Sequence, residues 1–330
     1  MTDNVVLITG GAGYIGSHAV LACREAGHRV VVLDNLSKGR RSLVPEEIPF
    51  YHGDIGDPHL LAQVFSDHPV SAVIHFAADV VVPESVATPL SYYFNNTCKT
   101  RLLLQACVDN GITAFVFSST AAVYGEPRQS PVKETAPTQP VNPYGTSKLM
   151  VEWMLRDTAA AHDFRYISLR YFNVAGADPQ GRTGQSTPEA THLVKVACEA
   201  AAGKRAEVQI FGDDYDTPDG TCIRDFIHVS DLAHAHVLAL DHLQARRESL
   251  TLNCGYGRGY SVRQVLEAVK RVSDTPLTIR IAPRRDGDVA ALVADVSRLR
   301  GVFDWKPEHD DLDFILRTAL EWELGRAIPG

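Results

Sequence analysis

The feature that most constrains the fold is a glycine-rich run, Thr9-Gly10-Gly11-Ala12-Gly13-Tyr14-Ile15-Gly16. The apolar, β-branched residues Val5 to Thr9 predict a buried strand of a parallel sheet. Residues Tyr14 to Ala26 carry apolar side chains at helical spacing, and Gly27 suits the position that ends a helix. A second strand, Arg29 to Asp34, follows. Strand, tight turn, helix and strand within about 30 residues are the context of a dinucleotide-binding fingerprint.

The glycines of this run have separate roles in holding a dinucleotide. One lets the chain turn sharply, one lets the backbone approach a pyrophosphate, and Gly16 lets the helix pack closely on the sheet. The helix N-terminus offers N–H groups and a positive dipole end to the phosphates. Asp34 lies eighteen residues after Gly16, where a carboxylate can accept hydrogen bonds from both ribose hydroxyls and would repel a 2′-phosphate. We therefore predict NAD, although the nearby Lys38, Arg40 and Arg41 leave NADP open.

Buried strand patterns alternate with helix patterns up to about Asn173. This alternation predicts an α/β fold, a doubly wound parallel Rossmann sheet that binds ligands outside the carboxyl ends of its strands. The sequence beyond Asn173 is irregular and rich in Gly, Pro and Asp, which indicates a smaller C-terminal substrate-binding lobe. We expect a Rossmann domain over residues 1–173, rejoined by about 223–246, and a lobe over 174–330. The predicted strands are Val5–Thr9, Arg29–Asp34, Pro49–Gly53, Ala72–Phe76, Ala114–Ser119 and Arg165–Tyr171.

Polar residues recur where these strands end. Asp54-Ile55 follows the third strand, His75-Phe76-Ala77-Ala78 closes the fourth, and Ser118-Ser119-Thr120 closes the fifth. Asn173 follows the sixth strand. Each alone is typical of a loop, but the repeated placement favours a site at this edge of the sheet.

The run Tyr144-Gly145-Thr146-Ser147-Lys148 predicts a proton-handling pair. Asn142 and Pro143 indicate a helix start, so Tyr144 and Lys148 lie on one helical face. Lowering the pKa of a phenol from about 10 by about 3 units takes roughly 4 kcal/mol. Lys148, the helix N-terminus and an oxidised nicotinamide can supply this, while Thr120 or Ser118 orients the reacting oxygen. The alternative is that the pair are surface neighbours on an ordinary helix.

Composition narrows the function classes. Forty acidic against 32 basic residues give a net charge of −8, which argues against a nucleic-acid partner. The six cysteines are scattered without metal-ligand spacing, so we expect reduced packing residues of a cytoplasmic protein and no metal. The first strand pattern leaves no room for a signal peptide, and no apolar run approaches membrane length.

Taken together, the motifs resemble the extended short-chain dehydrogenase/reductases, specifically the UDP-glucose 4-epimerases. The resemblance covers nearly the whole chain. Its early motifs, such as the glycine run and Asn142 to Lys148, are shared across that superfamily. Three later motifs are more specific to nucleotide-sugar epimerases: Leu169 to Ala177, Asp219 to Val229 and Pro283 to Asp288.

The resemblance implies contacts for most of the site. Asn173, Arg224, Arg285 and Asp288 would hold the UDP portion, and His192 stands where many members have an asparagine near the diphosphate. Leu292 occupies the position that helps define the room around the sugar C2 substituent, and Val80 replaces a lysine found in many epimerases. The implied catalytic residues are Tyr144, Lys148 and Thr120, of which Tyr144 and Thr120 also touch the substrate. The implied NAD contacts are Gly10, Gly13, Tyr14, Ile15, Gly16, Asp34, Asn35, Asp54, Ile55, Phe76, Ala77, Ala78, Asn96, Ser118, Tyr144, Lys148 and Tyr171.

The implied activity is the NAD-dependent interconversion of UDP-glucose and UDP-galactose through a transient 4-keto sugar. A UDP-N-acetylglucosamine 4-epimerase is the alternative. A 4,6-dehydratase of the same fold needs an Asp-Glu pair where this chain has Ala121-Ala122. A net dehydrogenase and a non-catalytic NAD-sensing protein are further alternatives.

The resemblance also implies a homodimer that forms through the helices Leu90 to Asn110 and Tyr144 to Ala161. Their apolar side chains can pair across the two-fold axis or pack on the chain's own sheet. These side chains are Leu102, Leu103, Leu149, Trp153 and Met154.

Overall fold

The computed structural model describes residues 4–187, 190–245, 247–285 and 287–326, and the chain divides into two compact units. The first unit runs to Gly125 and also contains Pro137–Arg170 and Ala233–Leu252. The second unit contains Glu126–Ala136, Tyr171–Leu232 and the residues from Asn253 on. The segment that returns to the first unit therefore covers 233–252, whereas the sequence indicated about 223–246.

The elements of the first unit alternate between strands and helices. The helix α1 begins after Gly13, and Gly27 follows it with a φ of 86°, as its predicted role in ending the helix requires. Through Tyr171 the elements are β1 Val5–Thr9, α1 Tyr14–Glu25, β2 Arg29–Asp34, β3 Phe50–His52, α2 Pro58–Asp67, β4 Val70–His75, α3 Val82–Ala87, α4 Pro89–Tyr92, a π-helical segment Tyr93–Cys98, α5 Lys99–Asp109, β5 Ala114–Ser118, α6 Pro143–Ala161 and β6 Arg165–Tyr171, with 3₁₀ turns at Arg41–Leu43 and Ala121–Tyr124.

The remaining elements complete both units. They are β7 Asn173–Ala175, α7 Leu193–Ala201, β8 Val208–Phe211, β9 Ile223–His228, α8 Val229–Gln244, β10 Leu250–Cys254, β11 Gly259–Ser261, α9 Val262–Ser273, β12 Ile279–Ala282, β13 Ala291–Leu292, α10 Ser297–Phe303 and α11 Leu312–Leu324.

A seven-stranded sheet forms the centre of the first unit, in the order β10-β6-β5-β4-β1-β2-β3. Its pairings from β6 to β3 are parallel. Every residue of β1 and β5 is buried, because helices cover both faces of such a sheet. The strands β1 and β4 lie side by side although β2 and β3 separate them along the chain. The strand order thus reverses at this pair, which is where doubly wound sheets bind ligands.

The structure confirms the predicted α/β fold and all six predicted strands, with ends shifted by two residues at most. Strand β10 was not predicted, because five residues that include Thr251 and Asn253 carry a weak strand pattern. The predicted return segment of about 223–246 starts too early, because its strand β9 does not join the first unit. Strand β9 instead pairs with β7, β11 and β13 in a small sheet of the second unit.

Two further facts bear on membrane association and metals. In the described ranges, none of the helices is long and apolar enough to cross a membrane. The same ranges contain no cluster of three or more His, Cys, Asp or Glu side chains arranged to hold a metal ion.

Candidate active site

The glycine loop is shaped by close approaches that only glycine permits. Gly10 has a φ of 73°, and a Cβ there would lie 2.6 Å from the backbone nitrogen of Ala77. A Cβ on Gly16 would lie 2.1 Å from the carbonyl oxygen of Gly10, so this glycine lets α1 pack directly on the loop. Gly13 differs, because its added Cβ would meet only the Gly10 oxygen, at 3.3 Å. The absence of a side chain at Gly13 leaves room beside the helix N-terminus, where Tyr14 and Ile15 present N–H groups.

Asp34 sits at the end of β2 with its carboxylate fixed by two backbone donors. Ala12 N–H donates to Oδ2 at 2.9 Å, and Leu36 N–H donates to Oδ1 at 2.8 Å. Burial raises the pKa of Asp34, and these two hydrogen bonds oppose the shift. Each oxygen keeps a lone pair for a ribose hydroxyl.

Two of the three basic residues after Asp34, Lys38 and Arg41, have side-chain contacts elsewhere. The Arg41 guanidinium donates to the Val44 carbonyl at 2.6 Å and lies over the Phe50 ring. The Lys38 ammonium lies 4.0 Å from Glu84. These contacts weaken the case for a 2′-phosphate site.

Asp54 carries an ion pair that the sequence did not reveal. Its Oδ2 lies 2.6 Å from Lys99 Nζ and accepts a hydrogen bond from Asn35, while Oδ1 accepts from Gly56 N–H. Burial opposes ionisation, but Lys99 and the other donors together lower the pKa of Asp54. The neighbouring Ile55 packs its side chain into the hydrophobic core, which leaves its backbone for a cofactor contact.

The chain after β4 lies against the glycine loop. Phe76 N–H donates to the Thr9 carbonyl, and Ala77 contacts Gly10. Asn96 holds the loop that follows, because its Oδ1 accepts from Asp79 N–H and its Nδ2 donates to the Asp79 carbonyl and to Ser147 Oγ. The direct contact of Asn96 with the cofactor stays a prediction. Both amide hydrogens are already used, so it shapes the cofactor loop.

Tyr144, Lys148 and Thr120 lie together in the first unit. Helix α6 begins as predicted, with the Asn142 side chain accepting from Gly145 N–H at 2.9 Å and Pro143 in the first turn. Tyr144 and Lys148 are both buried, and Thr120 hydrogen-bonds to the Tyr144 hydroxyl. Lys148 Nζ donates to the Ser118 carbonyl at 2.9 Å and lies over the Phe117 ring. The alternative of two surface neighbours is excluded.

Burial sets the protonation of this group. It raises the pKa of Tyr144, which the hydrogen bond with Thr120 partly offsets. It lowers the pKa of Lys148 to about 7. The protein alone therefore does not stabilise the phenolate as the sequence suggested. A positive charge brought by an oxidised nicotinamide would act in the required direction.

In the second unit, two of the predicted substrate residues, Asp288 and Leu292, lie beside a third, Arg224. Its Nη2 lies 3.3 Å from Asp288 Oδ1, and its Nη1 donates to the carbonyl oxygens of Ile223 and Val289. Leu292 lies beside Arg224 in the parallel pairing of β13 with β9. The ion pair of Arg224 is thus with Asp288, and not with its chain neighbour Asp225 or with Asp231. Those two carboxylates accept backbone N–H groups instead.

The remaining predicted substrate residues of the second unit, Arg285, Asn173 and His192, have other neighbours. The Arg285 guanidinium lies 3.6 Å above the Phe211 ring, and Asp288 N–H donates to the Arg285 carbonyl. Asn173 begins β7 and pairs with Phe226 of β9. His192 precedes α7, where it contacts Gln185 at 3.0 Å and burial lowers its pKa. Asp286, part of the motif that ends at Asp288, lies outside the described residues.

A fingerprint loop at the switch point of a parallel sheet, together with a buried Tyr–Lys pair in the same unit, defines a dinucleotide-dependent protein of the short-chain dehydrogenase type. Residues 6–255 match the model of the NAD dependent epimerase/dehydratase family. The chain belongs to this family, and its cofactor is NAD. The glycine loop, the open side of Gly13 and the fixed carboxylate of Asp34 fit that cofactor.

Individual relatives agree over nearly their full length. A UDP-glucose 4-epimerase of Azospirillum brasilense is 59% identical over 98% of this chain and 94% of its own. The crystal structure of UDP-glucose 4-epimerase from Brucella ovis in complex with NAD is 44% identical with a TM-score of 0.93, covering 96% and 97%. The UDP-Glc/GlcNAc 4-epimerase of Campylobacter jejuni is 48% identical with a TM-score of 0.86, covering 97% and 99%.

Proposed function

We propose that this protein interconverts UDP-glucose and UDP-galactose by inverting C4 of the sugar through a transient 4-keto intermediate. The observation that carries the proposal is the buried group of Tyr144, Lys148 and Thr120 in the same unit as an NAD-binding loop, in a chain with UDP-glucose 4-epimerases among its relatives. When bound, NAD supplies a reversible hydride acceptor for C4. The reaction is therefore redox-neutral overall.

The chain's own residues handle the proton and orient the reacting oxygen. Tyr144 takes the proton of the sugar 4-hydroxyl and later returns it. Thr120 hydrogen-bonds at the Tyr144 hydroxyl and fixes the reacting oxygen. Lys148, held on the Ser118 carbonyl with a pKa near 7, has a proton free to exchange near neutral pH. Burial of all three side chains keeps bulk water from this chemistry.

We assign UDP binding to residues of the second unit. Arg224 and Arg285 bring guanidinium groups suited to a diphosphate, and Asp288 brings a carboxylate suited to a ribose hydroxyl. The Arg224–Asp288 contact keeps both groups oriented before the nucleotide arrives. Asn173 and His192 complete the proposed set, with His192 the least connected to the others.

The main rival on this fold is a 4,6-dehydratase. The positions after Thr120, which that chemistry needs as proton carriers, are Ala121 and Ala122 at the start of a 3₁₀ turn. Neither can transfer a proton. A non-catalytic NAD-sensing protein has no use for the Tyr144, Lys148 and Thr120 group, so the intact group argues against this rival too.

A second candidate substrate is UDP-N-acetylglucosamine. The similarity to the Campylobacter jejuni UDP-Glc/GlcNAc 4-epimerase favours it. The half-buried Leu292, beside Arg224, is smaller than a tyrosine and offers no hydroxyl for a specific bond. We propose UDP-glucose and UDP-galactose as the main substrates, with partial acceptance of the N-acetylated sugar.

We also propose a homodimer formed through an apolar surface on the segment from α3 to the π-helical turn and on α6. Val86, Leu90, Phe94 and Trp153 expose 63%, 80%, 61% and 45% of their surface there. Of the residues for which both packings were open, Leu103 and Leu149 are buried in their own chain. A cytoplasmic location is supported by the six cysteines, all of which are free thiols.

A product assay tests the function. The purified protein, without added cofactor, is incubated with UDP-galactose or with UDP-N-acetylgalactosamine, and the 4-epimers are quantified. We expect UDP-glucose as the faster product and no accumulation of NADH. Tyr144→Phe, which removes the base but keeps the ring, should retain NAD and lose most of the activity. Turnover by this variant within a few-fold of wild type would refute the assignment of the base.

A further inference from the structure

A buried charged network joins the segment that carries Thr120 to the helix that carries Tyr144 and Lys148. Glu152 accepts hydrogen bonds from Ser119 Oγ at 2.5 Å and from Arg170 Nε at 2.9 Å on Oε1, and from Arg170 Nη2 at 2.6 Å on Oε2. Arg170 also donates to the Tyr124 hydroxyl at 3.0 Å and lies over its ring. These four residues, here called the Glu152–Arg170 network, are all buried.

The network forms hydrogen bonds with both ends of the segment that carries Thr120. Ser119 immediately precedes Thr120, and Tyr124 ends the 3₁₀ turn that Thr120 begins. Thr120 Oγ1 also accepts from Ala122 N–H, so its side chain is fixed to this turn. One ion pair therefore holds the segment before and after the residue that hydrogen-bonds to Tyr144.

The same ion pair links this segment to the helix of the proposed base. Glu152 lies two turns after Tyr144 and one turn after Lys148, on the same face of α6. At the start of α6, a Cβ on Gly145 would lie 2.6 Å from the Ala122 carbonyl, so helix and turn are in direct contact there. Arg170 anchors the network to β6.

A buried ion pair is weak evidence for a stabilising role, because apolar residues of similar volume often serve as well. The placement of this one calls for another explanation. We propose that Glu152 and Arg170 are positioning residues, which hold Thr120 in register with Tyr144 and so keep the reacting oxygen aligned. The inference rests on the proposed function, since it assigns a purpose to geometry at that site.

The test replaces both charges together, because removing one would leave the other buried and unpaired. In Glu152→Leu/Arg170→Met we expect bound NAD, a KM for UDP-galactose within about twofold of wild type, and a kcat lower by about 10- to 100-fold. Adding Thr120→Val to this background should cost far less activity than the same change in the wild type. Independent, multiplicative losses would contradict the proposal.

A matched control separates positioning from loss of stability. Lys195 and Glu323 form a buried ion pair in the second unit. Lys195→Met/Glu323→Leu makes the same kind of replacement outside the proposed catalytic group and should leave kcat unchanged well below the Tm. An equal kcat loss in the control and the test variant would mean that the network is merely structural.

A readout without substrate keeps the inference separate from the proposed function. Ultraviolet titration of the NAD-loaded protein, minus that of its Tyr144→Phe form, reports the pKa of Tyr144. We expect this pKa to be higher by about one unit in the double variant, because a misplaced Thr120 no longer stabilises the phenolate. An unchanged pKa would overturn the inference, whereas absent epimerase activity in the wild type would overturn the proposed function.

Discussion

The buried Lys148 has a pKa far below that of a free lysine side chain. Burial lowers its pKa from 10.5 to about 7, so between these values the unfolded chain binds a proton that the native protein does not. The stability of the protein therefore rises with pH across this range, by at most about 1.4 kcal/mol per unit. This gain in stability is complete above the unfolded pKa of 10.5 and is lost as the pH falls to about 7.

Lys148→Met should remove this pH dependence. We expect the unfolding free energy of the cofactor-free wild type, minus that of the variant, to increase from pH 7 to pH 10, as measured by urea unfolding. All other titrating groups are common to both proteins and cancel. A difference that does not change with pH would show that Lys148 keeps its proton in the native state.

A substitution at Leu292 tests which UDP-sugar the protein prefers. Leu292→Tyr would crowd the room beside Arg224, so turnover of N-acetylated sugars should fall relative to UDP-galactose. One steric contact of this kind is worth about 1–3 kcal/mol, so the effect should be partial. The measurement is the ratio of the two kcat/KM values. An unchanged ratio would place Leu292 outside the sugar pocket.

The element that the sequence predicted best is the β1–loop–α1 unit, because close packing at Gly10 and Gly16 leaves few alternatives to glycine. The Tyr144–Lys148 pair was also predictable, since Asn142 and Pro143 mark the start of its helix. The Glu152–Arg170 network was not, because its partners lie on three elements far apart in the chain. Arg170, inside the buried strand β6, nevertheless indicated that a charged partner lies nearby, since a buried charge requires one.

Two glycines of the same loop should separate cofactor binding from folding. Gly16→Ala places a Cβ 2.1 Å from the Gly10 carbonyl, so both the Tm and NAD retention should fall. Gly13→Ala meets that oxygen at 3.3 Å, so the Tm should change little while NAD affinity drops. Thermal unfolding and cofactor content of the purified variants decide this. Equal NAD retention by Gly13→Ala and wild type would mean that the phosphates bind elsewhere.

At the scale of the whole molecule, the apolar surface around Leu90 and Phe94 predicts self-association. Leu90→Glu/Phe94→Glu would bury charges at the proposed interface, so we expect a dimer for the wild type and a monomer for the variant by light scattering at micromolar concentration. Leu324→Glu, at a 39% exposed leucine of the second unit, is the control and should remain dimeric. A monomeric wild type would contradict the prediction.

In the proposed reaction, a hydrogen leaves C4 of the sugar and returns to the same carbon on its opposite face. The direct measurement uses UDP-galactose carrying deuterium at C4, converted by the purified protein in ordinary water. We expect UDP-glucose that keeps its deuterium at C4, with no net NADH formed. Loss of the deuterium to solvent, or accumulation of a reduced cofactor and a keto sugar, would contradict it.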